Sequence, residues 1–294
     1  MPRFLIGTPC RPSSEKDIEI RTNLLRDFGF LSPGMGAYLE LVGAIADFDY
    51  DFDRTLQTAL PYADWFGALH CPFSRGNWLF EGLTDMSSQS GKFMALRCVD
   101  MARNLRIPKV VLHTDVIRER PYANGKELHA VQSRTRQHVK EVADYARGFG
   151  ILLCVENMAV PGAFRPEGEE HFELMEYDRI SQLCCDAVVG GYAITFDTCH
   201  AATNKPNIAS QLRGNSDVIE HIHLSDTCRD DGYLAEGIAP VDPDSIIGKR
   251  EWKEFLSAIP DGMTVTLEIN EADVAIPLNT RRALTWLLTQ VEAV

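Results

Sequence analysis

Several short segments of this chain end in groups that can bind a cation or move a proton. They are His70 in Leu69-His70-Cys71-Pro72, His113 in Val111-Leu112-His113-Thr114, and Glu156 in Val155-Glu156-Asn157. Further along come Asp197 and His200 in Phe196-Asp197-Thr198-Cys199-His200, His223 in His221-Ile222-His223-Leu224, and Glu268 in Leu267-Glu268-Ile269. Most of them close an apolar run. A carboxylate or imidazole buried there alone is costly, and a divalent cation compensates several such groups while fixing their geometry. Singly, each has a plainer role: a strand-end Asp or Glu caps the next helix or meets an arginine, and His70 alone reads as a hydrogen-bonded core histidine. Glu, Asp, His and Glu closing four successive runs are hard to reach by chance. Glu156, Asp197, His223 and Glu268 are therefore read as the ligand set for one or more divalent metals. His221 is assigned to the outer face of its strand and to structure, on the expectation that only one of His221 and His223 reaches the site.

The elements that must carry these groups are legible from hydropathy. Eight short apolar runs read as strands: Phe4 to Thr8, Ala37 to Val42, Trp65 to His70, Lys109 to His113, Ile151 to Glu156, Tyr192 to Asp197, Ile219 to Leu224 and Thr264 to Ile269. Amphipathic segments between them read as helices: Lys16 to Phe28, Lys92 to Leu105, Glu127 to Arg147, Tyr177 to Val188, Glu251 to Ile259 and Arg281 to Val294. Gly148 and Gly150 stop one helix before a strand, and Pro108 separates another from Lys109-Val110-Val111-Leu112. Strands buried on both faces and alternating with helices belong to a parallel α/β architecture. The ligand set chooses between its two forms: a (β/α)₈ TIM barrel gathers residues from many strand ends at one mouth, whereas an open doubly wound sheet uses a switch point. No GxGxxG follows the first strand, which weighs against a dinucleotide site. A single barrel domain over residues 1–294 is the expectation, since no linker or low-complexity tract interrupts the pattern.

Composition narrows the partners. The 294 residues carry a formal charge of −13, with 45% apolar and 24% charged residues. That charge disfavours a polyanion, so nucleic acid is not expected and a small-molecule substrate is. No apolar run reaches the roughly 18 residues of a membrane span. Eight cysteines without a CxxC pair, several inside apolar runs, are read as structural thiols in a reducing cytoplasm. A homo-oligomer is compatible with the sequence. The insertion at 161–175, with Pro161 to Pro166 and the acidic Glu167 to Glu170, is expected either to close over the mouth, to meet a neighbouring subunit or to be a solvated loop. Arg75-Gly76-Asn77-Trp78 is a candidate substrate wall.

These motifs resemble the xylose-isomerase-like barrel superfamily, which includes sugar isomerases, epimerases and endonuclease IV, and the resemblance runs through nearly the whole chain. It implies that a Glu after the fifth strand, the Asp of a D-T-x-H turn after the sixth, a His before L-x-D after the seventh and a Glu ending the eighth bind one metal; these are Glu156, Asp197, His223 and Glu268. Similarity to ketose 3-epimerases implies that His200, three residues past the Asp, and Arg229, six past the metal-binding His, hold a sugar. Similarity to endonuclease IV implies that His70 and His113 bind a second metal together with Glu156. Asp231-Gly232-Tyr233 departs from the D-x-H segment of a third metal site, because Tyr233 stands where a histidine is expected.

Three functional expectations follow. In the first, a divalent metal (Mn, Mg, Co or Zn) polarises the carbonyl of a sugar, sugar phosphate or polyol; Glu156 or Glu268 removes the neighbouring proton, and the other returns it after an enediolate forms. In the second, two metals bridged by Glu156 activate water against a phosphodiester. In the third, the barrel holds a structural metal, or none, and serves as a binding protein.

Overall fold

Successive side chains of a strand point to opposite faces, and here the two faces differ in chemistry. Leu153 and Val155, Ile194 and Phe196, Ile222 and Leu224, and Val265 and Leu267 all lie in one apolar core. The intervening Glu156, Thr195, Asp197, His221, His223, Thr264 and Thr266 are equally buried but polar. The computed structural model, which describes residues 4–32, 36–72, 86–114, 125–159, 180–203, 207–230, 233–240, 242 and 244–292, gives the reason. The strands are β1 (Leu5–Cys10), β2 (Ala37–Val42), β3 (Phe66–His70), β4 (Lys109–Leu112), β5 (Leu152–Glu156), β6 (Ala193–Asp197), β7 (Ile219–Leu224), β8 (Asp226–Asp230), β9 (Tyr233–Ile238) and β10 (Thr264–Leu267). Strands β8 and β9 form an antiparallel hairpin, and the other eight close a parallel barrel in the order β1-β10-β7-β6-β5-β4-β3-β2. Apolar positions meet the helices; polar positions fill the barrel.

The helices are α1 (Glu15–Asp27), α2 (Ile45–Phe48), α3 (Phe52–Ala59), α4 (Gln89–Leu105), α5 (Gly125–Arg147), α6 (Ile180–Gly190), α7 (Thr198–Ala202), α8 (Ile208–Asn215), α9 (Lys249–Ala258) and α10 (Leu278–Glu292). All eight expected strands form, each within two residues of the expected bounds, and the six expected helices correspond to α1, α4, α5, α6, α9 and α10. The stop after α5 is made by Gly150, whose φ of 72° lets the Ile151 amide turn back to the Ala146 carbonyl at 3.0 Å. Four short helices and the hairpin go beyond the sequence expectations. Helices of four to eight residues carry too little periodicity to be seen, and the hairpin strands directly follow a barrel strand in sequence.

The hairpin is fixed beside the barrel mouth. Buried Asp226 accepts hydrogen bonds from the amides of Thr227 (2.7 Å) and Ile247 (3.2 Å), from the indole of Trp252 (2.9 Å) and from the Ser245 hydroxyl. On β9, Gly237 accepts from the Asn270 amide at 2.8 Å. A Cβ on Gly237 would stand 2.4 Å from the Asn270 side chain. Among the described residues, no helix is long and apolar enough to cross a membrane. All eight cysteines are free. The Arg75 to Trp78 wall, the 161–175 insertion and Asp231-Gly232 lie outside the described residues.

Candidate metal centre

Parallel register brings the ligand set together. Asp197 on β6 pairs with His223 on β7, and Glu268 follows directly after β10, whose Thr266 pairs with His223. Thr198 reinforces this junction: its hydroxyl donates to the Ser225 carbonyl at 2.6 Å and accepts from the Ser225 amide at 3.0 Å, tying the ends of β6 and β7. One donor atom from each of Glu156, Asp197, His223 and Glu268 lies within 4.8 Å of the others. Bonds of about 2.0–2.2 Å to a divalent ion put opposite ligands at most about 4.4 Å apart. The spread of the set is of the same order as that of ligands around one divalent ion.

His70, His113 and Glu156 form a second convergent group, joined to the first through Glu156. Oε2 of Glu156 lies 3.3 Å from His70 Nε2, 3.0 Å from His113 Nε2 and 3.1 Å from His223 Nδ1. His70 Nδ1 donates to the Cys71 carbonyl at 2.7 Å, and its Nε2 meets Glu156 Oε2 at 3.3 Å. His200 Nδ1 donates to the Asn157 carbonyl at 2.9 Å and stands 3.2 Å from Glu156 Oε1. Asp197 combines the plain and the functional readings. Its Oδ1 caps α7 by accepting the His200 amide at 2.6 Å, and its carboxylate still belongs to the ligand set.

The electrostatics of the group suit a cation. Glu156 Oε1 and His223 Nδ1 are buried with no hydrogen-bond partner. Nδ1 lies 3.1 Å from Oε2 of both Glu156 and Glu268, with neither contact aligned as a hydrogen bond. Burial opposes the charge on Glu156, yet His113 and His223 outweigh it and hold the carboxyl well below its usual range. Burial, with Glu156 and Glu268 adding to it, pushes Asp197 up. Burial works against an imidazolium at His223, but Glu40, Glu156 and Glu268 prevail and raise its pKa well above the usual value. Three carboxylates crowd one imidazole, and a divalent ion in their midst relieves all of them. Cys199, whose sulfur lies beside Asp197 and His200, is held as a neutral thiol by burial and by Asp197.

Two sequence expectations need comment. His221 is not on the outer face: it is fully buried inside the barrel, 3.1 Å from Glu40. Residues two apart in a strand share a face, so His221 and His223 both point inward, one beneath the other. Arg229 lies exposed on β8, its backbone opposite Leu234. Two residues escape the sequence reading. Asn157 clasps Asp197 through Nδ2 to the carbonyl (3.1 Å) and Oδ1 to the amide (2.7 Å). Glu40 lies on β2 among Ala37, Tyr38, Leu39, Leu41 and Val42, and a charge inside such a run was the signal that could have found it.

A family profile described as xylose isomerase-like TIM barrel matches residues 47–290. No curated protein sequence matches the chain. Among solved structures, a 3-keto-D-glucoside 4-epimerase from E. coli superposes with a TM-score of 0.63 at 14% identity, covering 97% of this chain and 99% of its own. A D-psicose 3-epimerase from Clostridium cellulolyticum H10, with D-tagatose, gives 0.64 at 13% identity and 99% coverage of both chains. A Thermus thermophilus protein soaked with zinc chloride gives 0.60 at 19% identity and 98% coverage of both.

Proposed function

The chain belongs to the xylose isomerase-like TIM barrel family, and we propose that it is a divalent-metal-dependent isomerase or epimerase of a sugar, sugar phosphate or related polyol. The observation that carries this reading is the convergence of Glu156, Asp197, His223 and Glu268 within 4.8 Å at the strand ends that form the barrel mouth. The epimerases among the superposed structures support the substrate class. A divalent ion held by these four residues supplies polarisation of a substrate carbonyl, which acidifies the adjacent C–H.

The residues of the chain do the rest. Glu268 is the carboxylate that can meet substrate: its side chain is 34% exposed, against 1% for Glu156. Burial raises its pKa, but His223 outweighs this and lowers it, so it is ionised at neutral pH and ready to accept a proton. After the enediolate forms, Glu268, now protonated, can deliver its proton to the neighbouring carbon, whereas return of a proton by Glu156 requires that this carboxylate first take one up. His200 and Arg229 hold substrate oxygens in this reading. Glu268→Gln is expected to abolish solvent deuterium incorporation into substrate with the fold intact; retained exchange refutes the assignment.

The grouping of His70 and His113 with Glu156 favours a second reading, two ions bridged by Glu156 that activate water against a phosphoester. Elemental analysis of protein purified without chelator separates the two. About one Mn, Mg or Co per chain supports proton transfer; two Zn or Fe support hydrolysis.

A further inference from the structure

Beneath the ligand set the barrel interior holds a second polar layer that the chemistry above does not use. Its centre is Glu40, 1% exposed. His223 Nε2 reaches Glu40 Oε1 at 3.1 Å, His221 Nε2 reaches Oε2 at 3.1 Å, and the Thr266 hydroxyl donates to Oε2. The layer is braced on two sides. Tyr38 lies on the same face of β2 as Glu40, and its hydroxyl meets Thr266 Oγ1 at 2.7 Å. Its ring fills space that only glycine leaves: a Cβ on Gly7 or Gly67 would stand 2.4 or 2.6 Å from ring atoms. On the other side, His221 Nδ1 lies 2.8 Å from Thr264 Oγ1, which accepts from Lys109 Nζ at 2.8 Å.

Proton bookkeeping gives this layer a direction. A carboxylate receiving three partners is an acceptor only, so the nitrogens of His221 and His223 that face Glu40 both carry hydrogen. For His223 the proton fixed on Nε2 makes Nδ1 the nitrogen that gives up its proton to an ion, and Nδ1 is the atom that faces Glu156 and Glu268. For His221, Nδ1 then faces the Thr264 hydroxyl at 2.8 Å as an acceptor, sharing the hydroxyl's one proton with the Glu220 carbonyl 3.2 Å away, and the Thr264 oxygen accepts from Lys109. The hydrogen bonds of the layer therefore converge on Glu40 from both sides, from Lys109, Thr264 and His221 below and from His223 above. Glu40, His221 and His223 also converge closely enough to suggest an ion of their own. Both ring nitrogens facing Glu40 are spent as donors, so no lone pair remains for one.

We propose that Glu40 is the positioning residue for His223, fixing its proton on Nε2 and turning its Nδ1 lone pair toward the ion. This rests on the metal-centre reading above. Carboxylate partners of this kind orient ligating histidines and typically contribute 10–100-fold in metal affinity. Glutamine in place of Glu40 offers one acceptor oxygen and one amide donor, so it cannot serve both histidines, and one must reverse its tautomer.

The test uses zinc alone as the probe, by competition against a chelating indicator, on the full-length chain. Glu40→Gln is expected to bind zinc 10–100-fold more weakly than wild type, and Thr266→Val, which removes one brace from Glu40 and keeps the Glu40–His223 hydrogen bond, to show a smaller loss. Nitrogen-15 histidine spectra of zinc-loaded wild type are expected to place the proton of His223 on Nε2 and zinc on Nδ1. A merely structural Glu40 would change thermal stability and leave zinc affinity of the folded variant unchanged. Wild-type spectra with the His223 proton on Nδ1, or a folded Glu40→Gln protein binding zinc within about twofold of wild type, overturn the proposal. The spectra decide if Glu40→Gln does not fold. Wild type that binds no zinc refutes the metal centre itself and the positioning role with it, whereas equal binding by wild type and variant refutes only the role of Glu40.

Discussion

Replacing Asn157 with alanine removes the clasp that holds Asp197 in the ligand set. Asn157 is 2% exposed and bonds the Asp197 main chain twice, accepting its amide at 2.7 Å and donating to its carbonyl at 3.1 Å. Alanine leaves both groups buried. An unsatisfied buried amide costs about 1–3 kcal/mol, and the carbonyl, which keeps a second lone pair, adds less. The sum is about 2–4 kcal/mol, a large part of the about 5–15 kcal/mol of an ordinary domain. With about 2.1 cal/mol/K of unfolding entropy per residue, the melting temperature falls by roughly 3–6 °C. Urea unfolding and thermal melting of chelator-treated protein measure it. The control is Asn104→Ala: Asn104 is exposed on α4, donates to the Asp100 carbonyl and should change stability by less than about 0.5 kcal/mol. If Asn157→Ala is as stable as that control, the clasp is not what holds β5 to β6, and water or a shifted strand end serves the Asp197 amide instead.

Three further outcomes are expected. Gly67→Ala places a Cβ 2.6 Å from the Tyr38 ring and should destabilise by about 1–3 kcal/mol in urea; a neutral result would show that the ring can move. His70→Ala should abolish binding of any second metal equivalent while the first is retained, read by elemental analysis, and unchanged stoichiometry would remove His70 from the ligands. In metal-free protein the lowered pKa values of Glu40 and Glu156 contribute stability that is full above the unfolded carboxylate value of about 4.3 and is lost as pH falls, with raised Asp197 working against them. Raised His223 contributes stability that is full below the unfolded value of about 6.5 and is lost as pH rises through its folded pKa. Metal-free stability should therefore peak between those values, and zinc should cancel the alkaline decline by replacing the Nδ1 proton; a metal-free profile still rising at pH 8 refutes this.

The barrel was legible because its strands are short apolar runs separated by helices, a pattern carried by many residues at once. The convergence of Glu156, Asp197, His223 and Glu268 was legible because each stands at or next to the end of such a run. Glu40 was not, because it lies inside the run from Ala37 to Val42 and has no partner nearby in sequence: it meets His221, His223 and Thr266 from β7 and β10, about 180 to 230 positions away. Asn157 was hidden differently. It stands next to a ligand, but its role depends on a main-chain clasp across two strand ends, and main-chain partners have no residue signature. The misplacement of His221 was a slip of periodicity: alternation sets 221 and 223 on the same face, so a strand with an inward ligand at one must have something inward at the other.

That second inward histidine bears on why the site needs support from below. Inward positions of a barrel strand stack in layers, so a ligand at the mouth stands on whatever fills the layer beneath. An apolar side chain there would satisfy packing and leave His223 Nε2 buried without an acceptor, at a cost of about 1–3 kcal/mol and with the tautomer unset. A lone carboxylate would serve His223 but would add a buried charge beside three others. Thr266 and His221 spread that charge over two further hydrogen bonds, and Thr264 and Lys109 carry it toward the opposite end of the barrel. On the proposed role of Glu40, the polar residues inside β2, β4, β7 and β10 serve one requirement, a histidine ligand with a fixed proton, and they leave intact the apolar core on the opposite face of each strand.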